Sequence, residues 1–309
     1  MVEVIYVVGH KSPDTDSICS AMAYAELKNA LEGNNIHKPA RLGEINLETK
    51  FALDYFKAKA PEFLKTVKDK QLILVDHSET KQMHELWEKA EIFEIIDHHK
   101  IGDVQTTRPI LFHAEPVGST ATIISEFYFY HKVKLTKQMA GLLLSAILSD
   151  TVVFKSPTTT EKDRLMSKKL AKLAEVDMYT YGIEMKKAKS SIKDLSDKDV
   201  IFADFKEYDI AEKKIGIGQI EVIDSTESMQ RKAGILKKMN EISTKRRYHS
   251  LFLMITDIMK EATDLWVVGE DLEKIEKAYS KLFKENAMYI DGMMSRKKDL
   301  LPVLMKVLK

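Results

Sequence analysis

The sequence predicts a two-domain α/β protein: an N-terminal domain with a parallel sheet covered by helices on both faces, and a smaller C-terminal domain with a mixed sheet. Three observations support this fold class. In the first part of the chain, short apolar runs alternate with amphipathic helical stretches, which is typical of parallel strands covered on both faces. A polar stretch rich in small residues interrupts this pattern, and a second set of strand-like runs and one long charged helix follows it.

The first domain is predicted to contain three buried strands and five helices. The strands are Val4 to Val8, Leu72 to Asp76 and Ile92 to Ile96. The helices are about Ser17 to Leu31, Thr120 to Tyr130, Lys137 to Leu148, Glu161 to Ala174 and Met178 to Lys189. Ligands of such sheets collect at the carboxyl ends of the strands, so the residues that follow each strand are candidates for a site.

The stretch "AKSSIKDLSDKD" is interpreted as a linker. It gives domains of residues 1–188 and 199–309, with the linker at 189–198. The second domain begins with "KKIGIGQIEVID", continues with a charged helix to about Arg247, and ends with the runs "SLFLMITD" and "DLWVVG". Its length is that of a small domain.

The composition limits the classes of partner. The 309 residues include 48 basic and 47 acidic side chains, so there is no overall basic field and duplex nucleic acid is not expected to bind. The longest apolar run, "AGLLLSAIL", is too short to span a bilayer, and "MVEVIYVVGH" lacks the features of a signal peptide. The single cysteine, Cys19, cannot form an internal disulfide and is expected to lie in the core. We therefore expect a cytoplasmic protein with no membrane partner.

Acidic and histidine side chains occur where apolar elements end. His10, Asp14 and Asp16 follow the first strand, Asp76 ends the second, and His98 and His99 follow the third. Asp150 ends an apolar helix, where its charge opposes the helix dipole. Taken singly, each has an ordinary explanation as a turn former, a helix cap or a satisfied histidine, and Asp16 or Ser17 could cap the first helix. Asp97 is expected to orient a neighbouring imidazole.

Together these side chains predict a metal centre, because all of them should meet at one edge of the sheet. Six residues are enough for two ions: His10, Asp14, Asp16, Asp76, His98 and Asp150. Carboxylate and imidazole ligands without a thiolate favour Mn²⁺, Co²⁺ or Mg²⁺ over a structural zinc. Two ions about 3.5–4 Å apart are the usual device for phosphoryl hydrolysis.

Charge balance indicates where a polyanionic substrate would be held. The four aspartates of the centre cancel two divalent ions, and the first domain shows little basic density around its acidic loops. Extra positive charge is available in "SRKKD" of the second domain. A run of charged residues like this one more often forms a solvent-exposed surface than a binding site. As a basic clamp, it would close over bound phosphates and exclude water.

Five ordered motifs carry a family resemblance. "GHKSPDTDS", "VDHSE", "DHH" and "SDT" resemble the DHH phosphoesterase superfamily. With "SRKK" near the C-terminus, the chain resembles the family II, manganese-dependent inorganic pyrophosphatases, from His10 to Lys297. The resemblance implies a DHH domain and a DHHA2-type domain with the active site in the cleft between them. It also implies a homodimer formed through the first domain.

The resemblance also implies roles for individual residues. One metal would be held by His10, Asp14 and Asp76, and the other by Asp16, Asp76, His98 and Asp150, with Asp76 bridging. The substrate would be contacted by His99, Lys206, Arg296 and Lys297. Inorganic diphosphate would be hydrolysed to two phosphates by a hydroxide that bridges two Mn²⁺ or Co²⁺ ions, and an additional Mg²⁺ would enter with the substrate.

Some positions depart from the family pattern. Ser12 stands where Asn is frequent, and Asp299 follows "SRKK" where Gln is usual. The charge of Asp299 beside the clamp is expected to affect substrate affinity. Gly118 and Ser119, in "PVGSTAT", could help to bind phosphate at a helix N-terminus, although a plain helix cap is the preferred interpretation.

Two alternatives to a pyrophosphatase stay open. One is another DHH phosphoesterase: an exopolyphosphatase, a phosphodiesterase of cyclic dinucleotides or very short RNA, or a single-strand exonuclease. The exonuclease is disfavoured because the second domain lacks an extended basic and aromatic track. The other alternative is a catalytically silent metal-binding or interaction module on the same fold.

Overall fold

A computed structural model describes residues 4–190, 192–193 and 195–308. The chain divides into two compact units, Met1–Lys189 and Ser190–Lys309. Within the stretch interpreted as a linker, a helix continues to Ser190 and another begins at Asp197, while Ser191 and Asp194 lie outside the described residues.

The first unit is built on a six-stranded sheet in which every pair of neighbouring strands is parallel. Its strands are β1 (Ile5–Val8), β2 (His37–Arg41), β3 (Glu62–Phe63), β4 (Gln71–Val75), β5 (Glu91–Asp97) and β6 (Leu111–Ala114). The strand order is β3-β2-β1-β4-β5-β6. After β1 the chain adds β2 and β3 on one side of the sheet, and it then adds β4, β5 and β6 on the other side. The direction in which strands are added therefore reverses between β1 and β4. A crevice at the carboxyl ends of the strands at such a reversal is the usual ligand site.

The three apolar strands predicted from the sequence correspond to β1, β4 and β5. Strands β2, β3 and β6 were missed for a physical reason. The sequence of β2, "HKPAR", is basic and contains Pro39; β3 has two residues; and β6 lies at the sheet edge, with Leu111 and Phe112 exposed. The edge strands β3 and β6 need no continuous apolar run, so periodicity gives little signal for these two.

The helices of the first unit are α1 (Thr15–Glu32), α2 (Leu47–Tyr55), α3 (Thr120–Tyr130), α4 (Lys137–Asp150), α5 (Glu161–Ala174) and α6 (Met178–Ser190). The cap of α1 is Asp14, whose Oδ1 accepts from Ser17 N at 2.9 Å, so the expected cap at Asp16 or Ser17 is wrong. Cys19 lies in the core, fully buried, as predicted. Helix α4 is apolar on nearly all sides and is correspondingly buried along most of its length.

The second unit contains a five-stranded mixed sheet in the order β11-β10-β9-β8-β7, in which only β8 and β9 are parallel among the described strands. Its elements are α7 (Asp197–Phe202), β7 (Lys206–Ile210), β8 (Lys213–Val222), α8 (Thr226–Arg246), β9 (Ser250–Asp257), β10 (Ala262–Gly269), α9 (Leu272–Tyr279), β11 (Ala287–Asp291) and α10 (Leu301–Val307).

The central strand β9 is buried at every residue because both faces of this sheet are covered. Phe252 and Met254 pack on one face, against residues that include α10, and Leu251 and Leu253 pack on the other, against α8. A five-residue π-helical turn, Arg296–Leu300, precedes α10 and carries Arg296 and Lys297 of the predicted clamp. The predicted fold class, a parallel-sheet domain followed by a smaller mixed-sheet domain, is confirmed. Across the described residues, every helix is too short or too polar to span a bilayer.

Candidate metal centre

The six predicted metal-binding residues come together at the carboxyl edge of the first sheet. Their donor atoms form two groups, and within each group all donor atoms lie within 4.8 Å of one another. One group is His10, Asp14 and Asp76; the other is Asp16, Asp76, His98 and Asp150. The two groups share Asp76, which follows β4 beside the reversal of the strand order.

Asp76 has the backbone geometry of a special position. Its φ of 64° is in the left-handed region, which aspartate tolerates better than most residues, and its backbone N donates to Ile96 O at 2.9 Å. This turn directs the carboxylate away from the strand and into the cluster. Oδ2 lies 3.6 Å from His10 Nε2, and Oδ1 lies 3.4 Å from His98 Nε2. The two oxygens of one fully buried carboxylate therefore face the two different groups.

The imidazole of His98 is held in one tautomer. Its Nδ1 lies 2.9 Å from the Val117 carbonyl, which can only accept, so Nδ1 carries the proton and Nε2 presents a lone pair. Nε2 points at three carboxylates: Asp76 Oδ1 at 3.4 Å, Asp150 Oδ2 at 3.6 Å and Asp16 Oδ2 at 4.0 Å. The lone pair of Nε2 is therefore available to bind a cation among these carboxylates.

His99 has a different environment from His98. Its backbone N and its Nδ1 both donate to Asp97 Oδ1, at 3.1 Å and 3.0 Å, and 45% of its side chain is exposed. Burial would raise the pKa of Asp97, but these hydrogen bonds outweigh burial and the pKa is lowered. Asp97 thus orients an imidazole, and the imidazole is that of His99. His99 also has a donor atom within reach of Asp76 and His98, so it lies at the margin of the cluster.

The centre has an excess of negative charge, which bound cations would neutralise. Burial first, and then the neighbouring Asp16 and Asp14, raise the pKa of both Asp76 and Asp150 well above the usual range. Asp150 is in addition the last residue of α4, at the negative end of the helix dipole. Among the described residues, Asp76 Oδ2 and His98 Nε2 are buried without a hydrogen-bond partner. Oxygen and imidazole donors, excess negative charge and unpaired buried atoms together fit divalent ions such as Mn²⁺.

The N-terminus of α3 donates hydrogen bonds to two of the predicted ligands, Asp16 and Asp76. Thr120 N and Ala121 N donate to the two oxygens of Asp16 at 2.6 Å and 3.0 Å, and Thr120 Oγ1 donates to Asp76 Oδ1 at 3.1 Å. Ser119 is the helix cap, as the preferred interpretation had it, and accepts from Ala121 N at 3.2 Å. Because Asp16 already occupies these amides, they are not free for a phosphate. The roles of Thr120 and Val117 were missed, and the only signal for them was the motif "VGSTAT".

A cavity of about 420 Å³ adjoins the cluster and is lined by His10, Lys11, Ser12, Lys81, Gln82 and His99. Its two loops are joined by Lys11 N, which donates to Gln82 O at 2.8 Å. The expectation of little basic density around the acidic loops is therefore wrong: Lys11 and Lys81 both line the mouth of the centre. The sequence obscured this because the two lysines are 70 residues apart.

The predicted phosphate-binding residues of the second unit lie on β7 and on the π-helical turn. Lys206 begins β7 and is exposed, and Lys297 is also exposed. Arg296 is buried, and its Nη2 lies 3.1 Å from each carboxylate oxygen of Asp204. The guanidinium is thus fixed by a residue two positions before Lys206.

Asp299 holds the turn that carries these cations. Its Oδ2 accepts from Met294 N at 2.9 Å and from Ser295 N at 2.7 Å, immediately before Arg296. Its charge is therefore engaged by two backbone amides. This observation favours a structural role for the departure from the family pattern at this position.

Metal binding should be measurable as a gain in thermal stability. Mn²⁺ at 100 times its Kd stabilises the folded state by about 2.7 kcal/mol, which corresponds to roughly 5–10 °C in Tm for a unit of this size. Differential scanning fluorimetry of chelator-treated protein with added Mn²⁺ measures the shift. Ca²⁺, which prefers sites made only of oxygen ligands, serves as the control and should give a smaller shift. An unchanged Tm with Mn²⁺ would contradict the assignment of a metal centre.

With this geometry established, comparisons with known proteins identify relatives along the whole chain. Residues 4–147 match the DHH family, N-terminal domain, and residues 183–307 match the DHHA2 domain. The chain is 48% identical to the manganese-dependent inorganic pyrophosphatase of Methanothrix thermoacetophila, over 100% of both chains. It is 40% identical to the manganese-dependent inorganic pyrophosphatase of Bacillus subtilis, over 98% of both chains.

Solved structures also resemble this chain. The putative family II inorganic pyrophosphatase of Methanococcus jannaschii matches with a TM-score of 0.62 and 46% identity, over 98% of this chain and 99% of that one. An exopolyphosphatase-related protein from Bacteroides fragilis matches with a TM-score of 0.50 and 14% identity, over 99% of this chain and 92% of that one. The second match shows a shared fold and no more.

Proposed function

The chain belongs to the family II, manganese-dependent inorganic pyrophosphatases, and we propose from this premise that it hydrolyses inorganic diphosphate to two phosphates at the candidate metal centre. One observation carries the proposal: two groups of donor atoms share the buried carboxylate of Asp76. A carboxylate that faces both groups would be able to bridge two adjacent ions, and such pairs of ions are the usual device for phosphoryl hydrolysis. We assign Mn²⁺ to both positions, with Co²⁺ as a substitute and an additional Mg²⁺ entering with the substrate.

The ligands of the two ions are assigned from the two groups described above. His10, Asp14 and Asp76 would hold one ion, and Asp16, Asp76, His98 and Asp150 the other. Bound divalent ions supply Lewis acidity, which favours ionisation of an attacking water and offsets the charge of the phosphoryl group. The protein's part is to hold the carboxylates and the His98 tautomer in place before the substrate arrives.

His99 is assigned to the substrate. Asp97 accepts from its Nδ1, so the other ring nitrogen can donate to a phosphoryl oxygen when the ring carries a proton on both nitrogens. His99 lines a cavity together with Lys11 and Lys81, and the cavity's volume of about 420 Å³ is ample for phosphate groups. A donor that is fixed before reaction stabilises charge on the phosphoryl oxygens at no cost in reorganisation.

The remaining positive charge is assigned to Lys206, Arg296 and Lys297. Asp204 keeps the guanidinium of Arg296 in a fixed orientation, and Asp299 holds the backbone of the same turn. These contacts favour a clamp in which Arg296 and the backbone of its turn are fixed in advance, whereas the side chains of Lys206 and Lys297 are exposed. Fixed cations suit phosphoryl transfer, in which positioning and charge stabilisation dominate.

Replacement of Lys297 by Gln should lower kcat/KM for diphosphate by roughly 10- to 100-fold, the effect of losing one charge-assisted hydrogen bond. Tm should not change, because the Lys297 side chain is exposed. The matched control is Lys298→Gln on the neighbouring exposed lysine, which should retain near-native kinetics. Equal effects of the two substitutions would mean that only general charge matters and would count against the assigned clamp.

Phosphate release from three substrates tests the proposed reaction. Purified protein is incubated with diphosphate, long-chain polyphosphate or a short oligonucleotide, each with Mn²⁺ and with Mg²⁺. We expect fast release from diphosphate alone. A preference for polyphosphate would favour the exopolyphosphatase alternative, release from the oligonucleotide would favour a nuclease, and no release from any of them would favour a silent metal-binding module.

We further propose a homodimer formed through the first unit. The edge strand β6 supports it, since Leu111 and Phe112 are exposed on a strand whose outer side has no partner within the described chain. Exposed apolar edge strands favour pairing with a second chain. Sedimentation analysis of the wild type and of Leu111→Lys measures the association. A cytoplasmic location stays a prediction.

A further inference from the structure

Asp163 is a fully buried carboxylate in the first turn of α5, and the sequence motifs give no role to it. Its two oxygens accept hydrogen bonds from four uncharged donors, all between 2.6 and 3.1 Å: Gly118 N, Thr122 Oγ1, Thr160 N and Thr160 Oγ1. A buried charge needs this degree of satisfaction to be tolerated.

The four donors belong to two different segments. Thr160 is the helix cap of α5, and its bonds with Asp163 form a capping box. Gly118 and Thr122 lie at the start of α3, more than 40 residues earlier in the chain. A capping box needs only the first pair. The bonds to Gly118 and Thr122 therefore serve another purpose, which is to tie the start of α3 to α5.

The contact at Gly118 leaves no space for a side chain. A Cβ at this position would lie 2.8 Å from Asp163 Oδ2 and 2.7 Å from Thr151 Cγ2. The loop backbone is therefore pressed directly against the carboxylate. Only glycine permits such an approach, so the loop has little freedom to move relative to α5.

The tied segment is the one that contacts the candidate metal centre. The Val117 carbonyl accepts from His98 Nδ1 at 2.9 Å, which fixes the tautomer and the ring orientation. The next residues of the segment, Thr120 and Ala121, donate to Asp16, and Thr120 Oγ1 donates to Asp76. Three of the assigned metal ligands thus depend on one short segment, and that segment depends on Asp163.

We propose that Asp163 is a positioning residue for the metal centre, acting through residues 117–122 on His98, Asp16 and Asp76. The inference rests on the proposed occupation of the centre by metal. Loss of the carboxylate would free the Gly118 amide and the Thr122 hydroxyl, and the segment would shift. The imidazole and the two carboxylates would then no longer converge at the distances that an ion requires.

The test compares metal affinity across three variants. Asp163→Ala should weaken Mn²⁺ binding about tenfold or more, in line with other losses of outer support to metal ligands. Thr122→Val removes a bond on the α3 side only and should weaken Mn²⁺ binding a few-fold. Thr160→Ala removes the hydroxyl bonds to Asp163 on the α5 side and leaves those on the α3 side; it should lower Tm but leave the Mn²⁺ affinity within about twofold. Competition with a fluorescent chelator gives the affinities, and circular dichroism verifies that each variant is folded.

A second readout separates positioning from general destabilisation. The visible absorption of the Co²⁺-loaded protein reports ligand geometry, and it should change in Thr122→Val and not in Thr160→Ala. Asp163→Asn, which retains one acceptor oxygen, should restore part of the affinity lost in Asp163→Ala. If Asp163→Ala fails to fold, the comparison of Thr122→Val with Thr160→Ala still tests the positioning role of Asp163.

Equal metal affinity and equal spectra in Thr122→Val and Thr160→Ala would overturn the role of Asp163. Both readouts are independent of catalysis. Failure to hydrolyse diphosphate would refute the proposed function while leaving this inference open to measurement. Failure of the wild type to bind Mn²⁺ or Co²⁺ would refute both.

Discussion

Replacement of Asp76 by Asn should abolish Mn²⁺ binding and diphosphate hydrolysis together. Loss of an outer-shell partner of a metal ligand costs roughly 10- to 100-fold in affinity, and a ligand shared by two ions should cost more than about 100-fold. Asparagine tolerates the left-handed backbone at this position, so the turn after β4 should keep its geometry. Isothermal titration with Mn²⁺ and a phosphate-release assay measure the two losses.

The same substitution should stabilise the metal-free protein. Burial and the nearby Asp16 and Asp14 raise the pKa of Asp76, which means that its ionised form is disfavoured in the fold. An amide removes the repulsion, and Tm after chelation should exceed that of the chelated wild type. Asp69→Asn is the matched control. The backbone of Asp69 is also in the left-handed region, with φ of 57°, but its side chain is exposed. It should leave metal affinity, activity and Tm near native values. Retention of Mn²⁺ binding by Asp76→Asn would exclude a shared ligand.

The adjacent histidines should separate metal binding from catalysis. Substitution of His98 by Ala should weaken Mn²⁺ binding by more than about 100-fold, since its Nε2 is assigned as a direct metal ligand and loss of a supporting partner alone costs roughly 10- to 100-fold. Substitution of His99 by Ala should lower kcat about 10²- to 10³-fold, as when one fixed donor to developing charge is removed. The metals should still bind, because Asp97 holds His99 at the margin of the cluster.

Each histidine is the control for the other, and both substitutions are measured by Mn²⁺ titration and by steady-state kinetics at saturating metal. Excess Mn²⁺ should recover much of the activity of His98→Ala and none of that lost in His99→Ala. If His99→Ala loses metal as severely as His98→Ala, then His99 is a ligand and its assignment to the substrate is wrong. Such a result would agree with its proximity to Asp76.

The sequence indicated candidate site residues where a charged side chain ends an apolar run. Asp150 stood out because its charge ends an otherwise buried helix, and the six candidate ligands were collected from such ends of apolar elements. Their division between two ions came from the family resemblance. The sequence was uninformative where backbone atoms perform the task. The carbonyl of Val117 and the amides of Thr120 and Ala121 support the centre through groups that every residue possesses.

Pairs of residues distant in sequence were also beyond local patterns. Asp163 and Gly118 are separated by 45 residues, and Arg296 and Asp204 by 92. Each partner alone reads as a common surface or capping residue. The pairing depends on tertiary packing, and a single sequence carries no periodic trace of it.

The buried carboxylates of the centre have a consequence for the amount of the protein in a cell. Without cations, their mutual repulsion lowers the free energy of unfolding of the first unit, so a larger fraction of chains is transiently unfolded. Cellular proteases remove chains in proportion to that fraction, and a difference of 1–2 kcal/mol can change abundance several-fold. We therefore expect the steady-state level of this protein to follow the supply of manganese at a constant rate of synthesis.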